Sequence, residues 1–123
     1  MLTKNILIVD DNPNMSMLLS DILEIFDFKG SHANDGNEAL AKLRDNKYDL
    51  VFTDLRMPNM DGYDLLRAIK LHHPGLPVVV VTGYSVADAQ DAMLSAKADG
   101  FLNKPFKVNE IQTLLTSLLG PTD

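Results

Sequence analysis

Five polar residues stand at or just beyond the ends of short apolar segments in this sequence. They supply three carboxylates, one hydroxyl and one ammonium: Asp10, Asp11, Asp54, Thr82 and Lys104. Three carboxylates placed together repel one another unless a cation neutralises them. Oxygen ligands without His or Cys are typical of a hard ion, so Mg²⁺, or Mn²⁺ as a second possibility, is the expected metal. Because Mg²⁺ usually binds through one or two carboxylates together with phosphate oxygens, the pattern predicts a phosphorylated partner or product.

Asp54 is the expected nucleophile of such a site. A carboxylate is a weak nucleophile, but phosphoryl transfer depends mainly on positioning and on the stabilisation of charge. A metal ion held by Asp11 would neutralise charge on the transferring group, and Lys104 would bind another oxygen as a point charge. The hydroxyl of Thr82 could donate a hydrogen bond to the third oxygen.

The elements that must position these residues are short strands. Continuous apolar runs with β-branched residues, at 6–9, 50–52 and 78–81, are typical of strands buried on both faces of a parallel sheet. Weaker strand patterns lie at 29–33 and 100–103. In open α/β sheets, sites form beyond the carboxyl ends of the strands, which is where the polar residues stand.

Segments with helical spacing separate and follow these strands. The spacing predicts helices near 15–26, 39–43, 63–69, 86–98 and 111–118, and the fourth is only weakly amphipathic. Asp11 or Asn12 is a candidate cap for the first helix, with Pro13 in its first turn, and Asp35 or Asn37 begins the second. Strand–helix alternation repeated five times predicts an α/β fold with helices on both faces of a parallel sheet.

Composition limits the classes of function. The chain has 123 residues, a size typical of one domain spanning 1–123, and it has no cysteine, which excludes disulfides and thiolate chemistry. Seventeen acidic residues against eleven basic ones give a formal net charge of -6, which disfavours direct binding to nucleic acid or to a membrane. Since the sequence shows neither a signal-peptide pattern nor an apolar run of membrane-spanning length, a cytoplasmic location is expected.

Four ordered sequence pieces lead to a known family. They are ILIVDD at 6–11, DLRMPNMDG at 54–62, VVTG at 80–83 and DGFLNKPF at 99–106. With this order and spacing, the chain resembles response-regulator receiver domains of two-component systems, of the chemotaxis-regulator type, over 5–119. The resemblance implies a flavodoxin-like (βα)5 three-layer sandwich with five parallel strands in the order 2-1-3-4-5.

The resemblance also implies roles for individual residues of the site. Asp54 would be the phospho-acceptor and Lys104 the phosphate-binding lysine, followed by a cis peptide bond to Pro105. The metal ligands would be Asp10, Asp11, Asp54 and the backbone carbonyl of Arg56, with Asp11 binding directly and Asp10 often acting through water.

A second set of implied roles concerns switching and lifetime. Thr82 and Phe101 would be the switch pair: the hydroxyl moves to the phosphate, the ring turns inward, and the face formed by the fourth helix, the fifth strand and the last helix is remodelled. Because Phe101 is not Tyr, no side-chain hydroxyl can hold the inward ring. Arg56 and Tyr84 occupy positions that tune the phosphoryl lifetime, and as a hypothesis their bulk slows hydrolysis.

The resulting prediction is a phosphorylation-activated switch that is not an enzyme, apart from its own phosphorylation and dephosphorylation. It would accept the phosphoryl group from a histidine kinase or phosphotransfer protein and control an unidentified partner or a fused effector domain, with a phosphorylation-dependent homodimer as a possibility. The alternatives are a degenerate receiver that acts as a constitutive interaction module and a Mg²⁺-dependent phosphatase with an aspartyl-phosphate intermediate. A flavin or nucleotide binder is disfavoured, because Asp10 and Asp11 stand where a glycine-rich phosphate loop would be needed.

Each residue of the predicted site could instead have a purely structural role. Asp10 and Asp11 could serve only as turn and cap residues, Thr82 as an ordinary strand-end hydroxyl, and Lys104 as a surface lysine. The three histidines, at 32, 72 and 73, are not expected to bind the metal.

Overall fold

Five parallel strands form one sheet in this computed structural model, in the order β2-β1-β3-β4-β5. The strands are β1 (Asn5–Val9), β2 (Lys29–Ala33), β3 (Leu50–Asp54), β4 (Val78–Thr82) and β5 (Gly100–Asn103). The structure describes residues 4–54, 60, 62–82 and 98–120, and of Thr82 only the backbone. All five predicted strands are present and the order 2-1-3-4-5 is confirmed, so the fold is of the flavodoxin-like class.

Four helices accompany the sheet within the described residues. They are α1 (Pro13–Ile25), α2 (Gly36–Asp45), α3 (Gly62–His72) and the C-terminal helix α4 (Val108–Leu119). Asp35, rather than Asn37, caps α2, because its side chain accepts the backbone N–H of Glu38 at 2.8 Å. The predicted helix at 86–98 falls almost entirely within 83–97, outside the described residues. None of the described helices is both long enough and apolar enough to cross a bilayer.

The sheet separates two hydrophobic cores. Residues of β1, β3 and β4 alternate between them, because successive side chains of a strand point to opposite faces. One core joins the sheet to α2 and α3, and its largest buried members include Leu7, Val51, Leu65, Leu66 and Ile69. The other joins the sheet to α1 and α4, and includes Ile6, Leu23, Phe52, Ile111 and Leu115. The apolar runs of the sequence are continuous because both faces of these strands are covered.

The strand ends bring the polar residues to one edge of the sheet. Asp54 is the last residue of β3 and pairs with Val81 of β4, while Thr82 is the last residue of β4 and pairs with Asn103 of β5. Asp10 follows β1 directly, and its N–H continues the ladder to the carbonyl of Ala33 at 3.1 Å. Since the strands are parallel, all of these positions lie at the same edge.

Asn12 is the N-cap of α1, so its replacement should lower the stability of the fold. Its Oδ1 accepts the backbone N–H groups of Asn14 at 3.0 Å and Met15 at 3.4 Å, and Pro13 occupies the first turn, where no N–H is needed. We expect Asn12→Ala to lower the free energy of unfolding by about 1 kcal/mol in a urea titration, the usual value of such a cap. Asn14→Ala is the matched control, and an equal loss in both variants would contradict the capping role.

Candidate functional site

Three carboxylates meet at the carboxyl edge of the sheet. One oxygen from each of Asp10, Asp11 and Asp54 lies within 4.8 Å of the others. Asp10 is buried, Asp54 is partly buried and Asp11 is exposed, so the cluster reaches from the sheet edge to solvent. These are the residues that strand-end reasoning placed together.

Lys104 closes the cluster from the end of β5. Its Nζ lies 3.1 Å from Asp54 Oδ2 and 3.5 Å from Asp10 Oδ2, and its side chain is 23% exposed. The peptide bond between Lys104 and Pro105 is cis. Within the part of the chain that the structure describes, the cluster holds one ammonium and three carboxylates, a formal excess of two negative charges that a divalent cation would neutralise.

Asp10 is the most deeply buried of the three carboxylates, at 4% exposure. Burial raises its pKa, and the charge of Asp54 acts in the same direction. The N–H of Asn12, which donates to Asp10 Oδ1 at 2.9 Å, and the ammonium of Lys104 oppose this rise without cancelling it. The ionised form of Asp10 is therefore held in the fold at a cost, as is usual where side chains are placed for function rather than stability.

The charge of Lys104 is stabilised by its partners. Burial alone would lower its pKa, but the hydrogen bond and ionic attraction to Asp54, joined by those to Asp10, outweigh burial and raise the pKa above its ordinary value. Lys104 is thus positively charged at neutral pH, with its ammonium directed at the Asp54 carboxylate.

Two side chains contact the backbone carbonyls of Asp54 and Asp10, at the strand ends that carry these carboxylates. The buried hydroxyl of Thr53 donates to the carbonyl of Asp54 at 3.0 Å. On the other side, His32 Nε2 lies 3.0 Å from the carbonyl of Asp10. The His32 contact could not be predicted from the sequence, because it depends on the register in which β2 pairs with β1.

The remaining predicted site residues are placed only in part. Phe101 is partly buried and packs against the core formed with α2 and α3. Arg56 and Tyr84, and the side chain of Thr82, lie outside the described part of the chain. The metal set that the described residues offer is therefore the carboxylates of Asp10, Asp11 and Asp54, and a purely oxygen donor set fits a hard divalent ion.

Neutralising Asp10 should stabilise the fold in the absence of divalent metal. A folded-state pKa above the unfolded value means that ionised Asp10 weakens the fold, and this penalty appears as the pH rises through the folded pKa. We expect Asp10→Asn to raise the free energy of unfolding by about 1 kcal/mol at neutral pH in chelator-treated buffer. The gain should shrink as the pH falls through the folded pKa and should be absent below the ordinary Asp pKa. Urea titrations across this range test the prediction, and a variant less stable than wild type at neutral pH would contradict it.

Comparison with known proteins gives a consistent result for sequence and structure. The family model described as "Response regulator receiver domain" matches residues 6–116. The transcriptional regulatory protein ZraR of Klebsiella oxytoca is 36% identical over 118 residues, which cover 96% of this chain and 27% of ZraR. The sensor histidine kinase RcsC of Escherichia coli K12 is 40% identical over 111 residues, which cover 90% of this chain and 12% of RcsC. The chain thus spans less than a third of the length of either relative.

A solved structure with similar geometry is that of the response regulator protein TrrA from Thermotoga maritima, in complex with Mg²⁺-BeF. It is 30% identical, with a TM-score of 0.85, and the match covers 94% of this chain and 99% of that one.

Proposed function

This chain belongs to the response-regulator receiver-domain family, and on that premise we propose that it is a signalling switch activated by phosphorylation of Asp54. The observation that supports this most strongly is the position of the Asp54 carboxylate. It lies with two further carboxylates within 4.8 Å and has the Lys104 ammonium at 3.1 Å. A nucleophile, a metal-binding set and a phosphate-binding cation are thereby combined at one strand end.

Mg²⁺ is the metal we propose for this site, with Mn²⁺ as a possible substitute. Asp10, Asp11 and Asp54 would hold it, together with the backbone carbonyl of Arg56 that family resemblance suggests. When bound, Mg²⁺ would neutralise negative charge on the carboxylates and on the phosphoryl oxygens. TrrA, whose structure is similar to this one, was solved in complex with Mg²⁺-BeF, and this supports the choice of Mg²⁺.

The side chains of the site have separate tasks in phosphoryl transfer. A carboxylate oxygen of Asp54 would form the new bond to phosphorus while the bond from phosphorus to the donor breaks. Lys104, already within hydrogen-bonding distance of Asp54, would bind a phosphoryl oxygen as charge moves onto it. We assign the Thr82 hydroxyl to a further phosphoryl oxygen.

Phosphorylation would then shift an equilibrium between two conformations of the domain. We propose Thr82 and Phe101 as the switch pair, with Arg56 and Tyr84 setting the lifetime of the phosphoryl group. Phe101 belongs to β5, an edge strand of the sheet, and packs against the core beside α2 and α3. We propose that a change in its position remodels the face formed by the predicted helix at 86–98, β5 and α4. That surface is the proposed site of regulated contact with a partner.

The partners follow from family membership. We propose a sensor histidine kinase or phosphotransfer protein as the phosphoryl donor, and a separate protein or a fused effector domain as the output. A phosphorylation-dependent homodimer is a further possible output. In this account residues 1–123 form one receiver domain that acts in the cytoplasm, without direct contact to nucleic acid or membrane and without turnover of a separate substrate.

Incubation with acetyl phosphate tests the proposal without knowledge of the kinase. Intact-mass spectrometry should detect one phosphoryl adduct in the presence of Mg²⁺ and none after metal removal. Absence of the adduct under all conditions would contradict the switch and favour a degenerate receiver that binds partners constitutively. Continuous release of inorganic phosphate from added phosphomonoesters would instead favour the phosphatase.

A further inference from the structure

The ring of His32 is directed at the peptide that links the two neighbouring aspartates of the site. Its Nε2 lies 3.0 Å from the backbone carbonyl of Asp10. A carbonyl oxygen can only accept, so Nε2 must bear the hydrogen and donate it. Nε2 carries a hydrogen in the cationic ring and in one of the two neutral tautomers, so either of these forms can make the bond.

The Asp10 backbone is thereby held by β2 at two atoms. Its N–H donates to the carbonyl of Ala33 at 3.1 Å, and its carbonyl accepts from the His32 ring. The carbonyl of Asp10 and the N–H of Asp11 belong to the same planar peptide group. A bond that fixes this plane also limits the direction in which the chain enters Asp11, whose exposed carboxylate is one of the three in the cluster.

His32 is itself held in place from two directions. Within the sheet it pairs with Ile8 of β1, two residues before Asp10. From α2, the Nζ of Lys42 donates to the backbone carbonyl of His32. The backbone that carries the ring is therefore held at a defined position of the strand.

We propose that His32 is a positioning residue for the metal site, acting through the Asp10–Asp11 peptide rather than by touching the metal. This inference rests on the proposed function, since it assumes that the carboxylate cluster binds Mg²⁺. Groups that orient metal ligands from outside the ligand set commonly change metal affinity by about 10-fold to 100-fold. Because His32 orients a backbone group and not a ligand side chain, the lower end of that range is expected.

Two substitutions separate the hydrogen bond from the bulk of the ring. His32→Phe retains a ring and removes the donor, whereas His32→Gln retains an N–H donor on a side chain of similar reach. Lys29→Ala, an exposed position of the same strand, is the matched control. Calorimetric titration of each full chain with MgCl₂ gives the affinity, and urea unfolding in chelator-treated buffer gives the stability of the metal-free fold.

We expect His32→Phe to weaken Mg²⁺ binding by about 10-fold, and His32→Gln and Lys29→Ala to stay within about 3-fold of wild type. If the Phe variant lacks a cooperative unfolding transition, His32→Leu replaces it. Wild-type affinity in the donor-free variant, or equal weakening in the Phe and Gln variants, would overturn the inference while leaving the proposed function intact. Failure of the wild-type chain to bind Mg²⁺ would overturn the proposed metal site, and this inference with it.

Discussion

Replacing Asp54 with asparagine should reduce phosphoryl incorporation from acetyl phosphate by at least about a thousandfold, the scale on which loss of a nucleophile acts. The amide has nearly the same shape as the carboxylate, but its oxygen is a far poorer nucleophile toward phosphorus. The neighbouring Asp10 does not replace it in this account, because Asp10 is 4% exposed and is hydrogen-bonded to Asn12 and Lys104. Rapid-quench mass spectrometry at saturating Mg²⁺ gives the rates.

The matched control for this loss is a carboxylate at a distance from the cluster. Asp45 lies at the end of α2, where its side chain is 72% exposed beside Arg44. Asp45→Asn should be phosphorylated at the wild-type rate. If Asp54→Asn gained the adduct as fast as this control, Asp54 could not be the acceptor.

The replacement of Lys104 by methionine should have two effects of opposite sign. Methionine keeps an apolar stem but removes the ammonium, so among the described groups of the cluster the formal excess of negative charge rises from two to three. Because the ammonium competes with a metal ion for the same oxygens, its removal should tighten Mg²⁺ binding by about 10-fold. The free energy of this change is small compared with the Coulomb energy between two charges at such distances. The rate of phosphorylation should nevertheless fall by about a hundredfold, since a group that stabilises developing charge is lost.

This pair of effects separates a phosphate-binding role from a structural one. Lys47→Met, at an exposed position between α2 and β3, should change neither quantity. Calorimetry with MgCl₂ and phosphorylation kinetics are measured on the same preparations. If Lys104→Met lowered both the Mg²⁺ affinity and the rate, Lys104 would be holding the site in shape, and the proposed contact with the phosphoryl group would lose its support.

The strands could be predicted from the sequence because their side chains are buried on both faces. Runs such as Val78 to Val81 show this directly, and the polar residues that end them fall where parallel strands converge. Strand β2, with the sequence KGSHA, shows only partial burial and a weaker pattern, since it lies at the edge of the sheet. The strand order came from resemblance to a family and not from any pattern within the strands.

The burial of the site residues and the contacts that hold them could not be predicted from the sequence. Asp10 and Asp11 are adjacent and chemically identical, yet one is buried with a raised pKa and the other is exposed. That difference depends on the tertiary surroundings of Asp10, which include its contacts with Asn12 and Lys104. The sequence of β1 alone does not specify these surroundings. The bond from His32 to Asp10 likewise requires the exact register of β2 against β1, and a shift of one residue would move the ring to the opposite face.

The central claim, that Asp54 and not another carboxylate receives the phosphoryl group, is tested most directly by chemical mapping. Sodium borohydride reduces an aspartyl phosphate to homoserine, and tandem mass spectrometry of the digested protein then locates the altered residue. We predict homoserine at position 54 alone, only in samples treated with acetyl phosphate and Mg²⁺. Homoserine at position 10 or 11, or its absence from a protein that bears the phosphoryl adduct, would contradict the assignment.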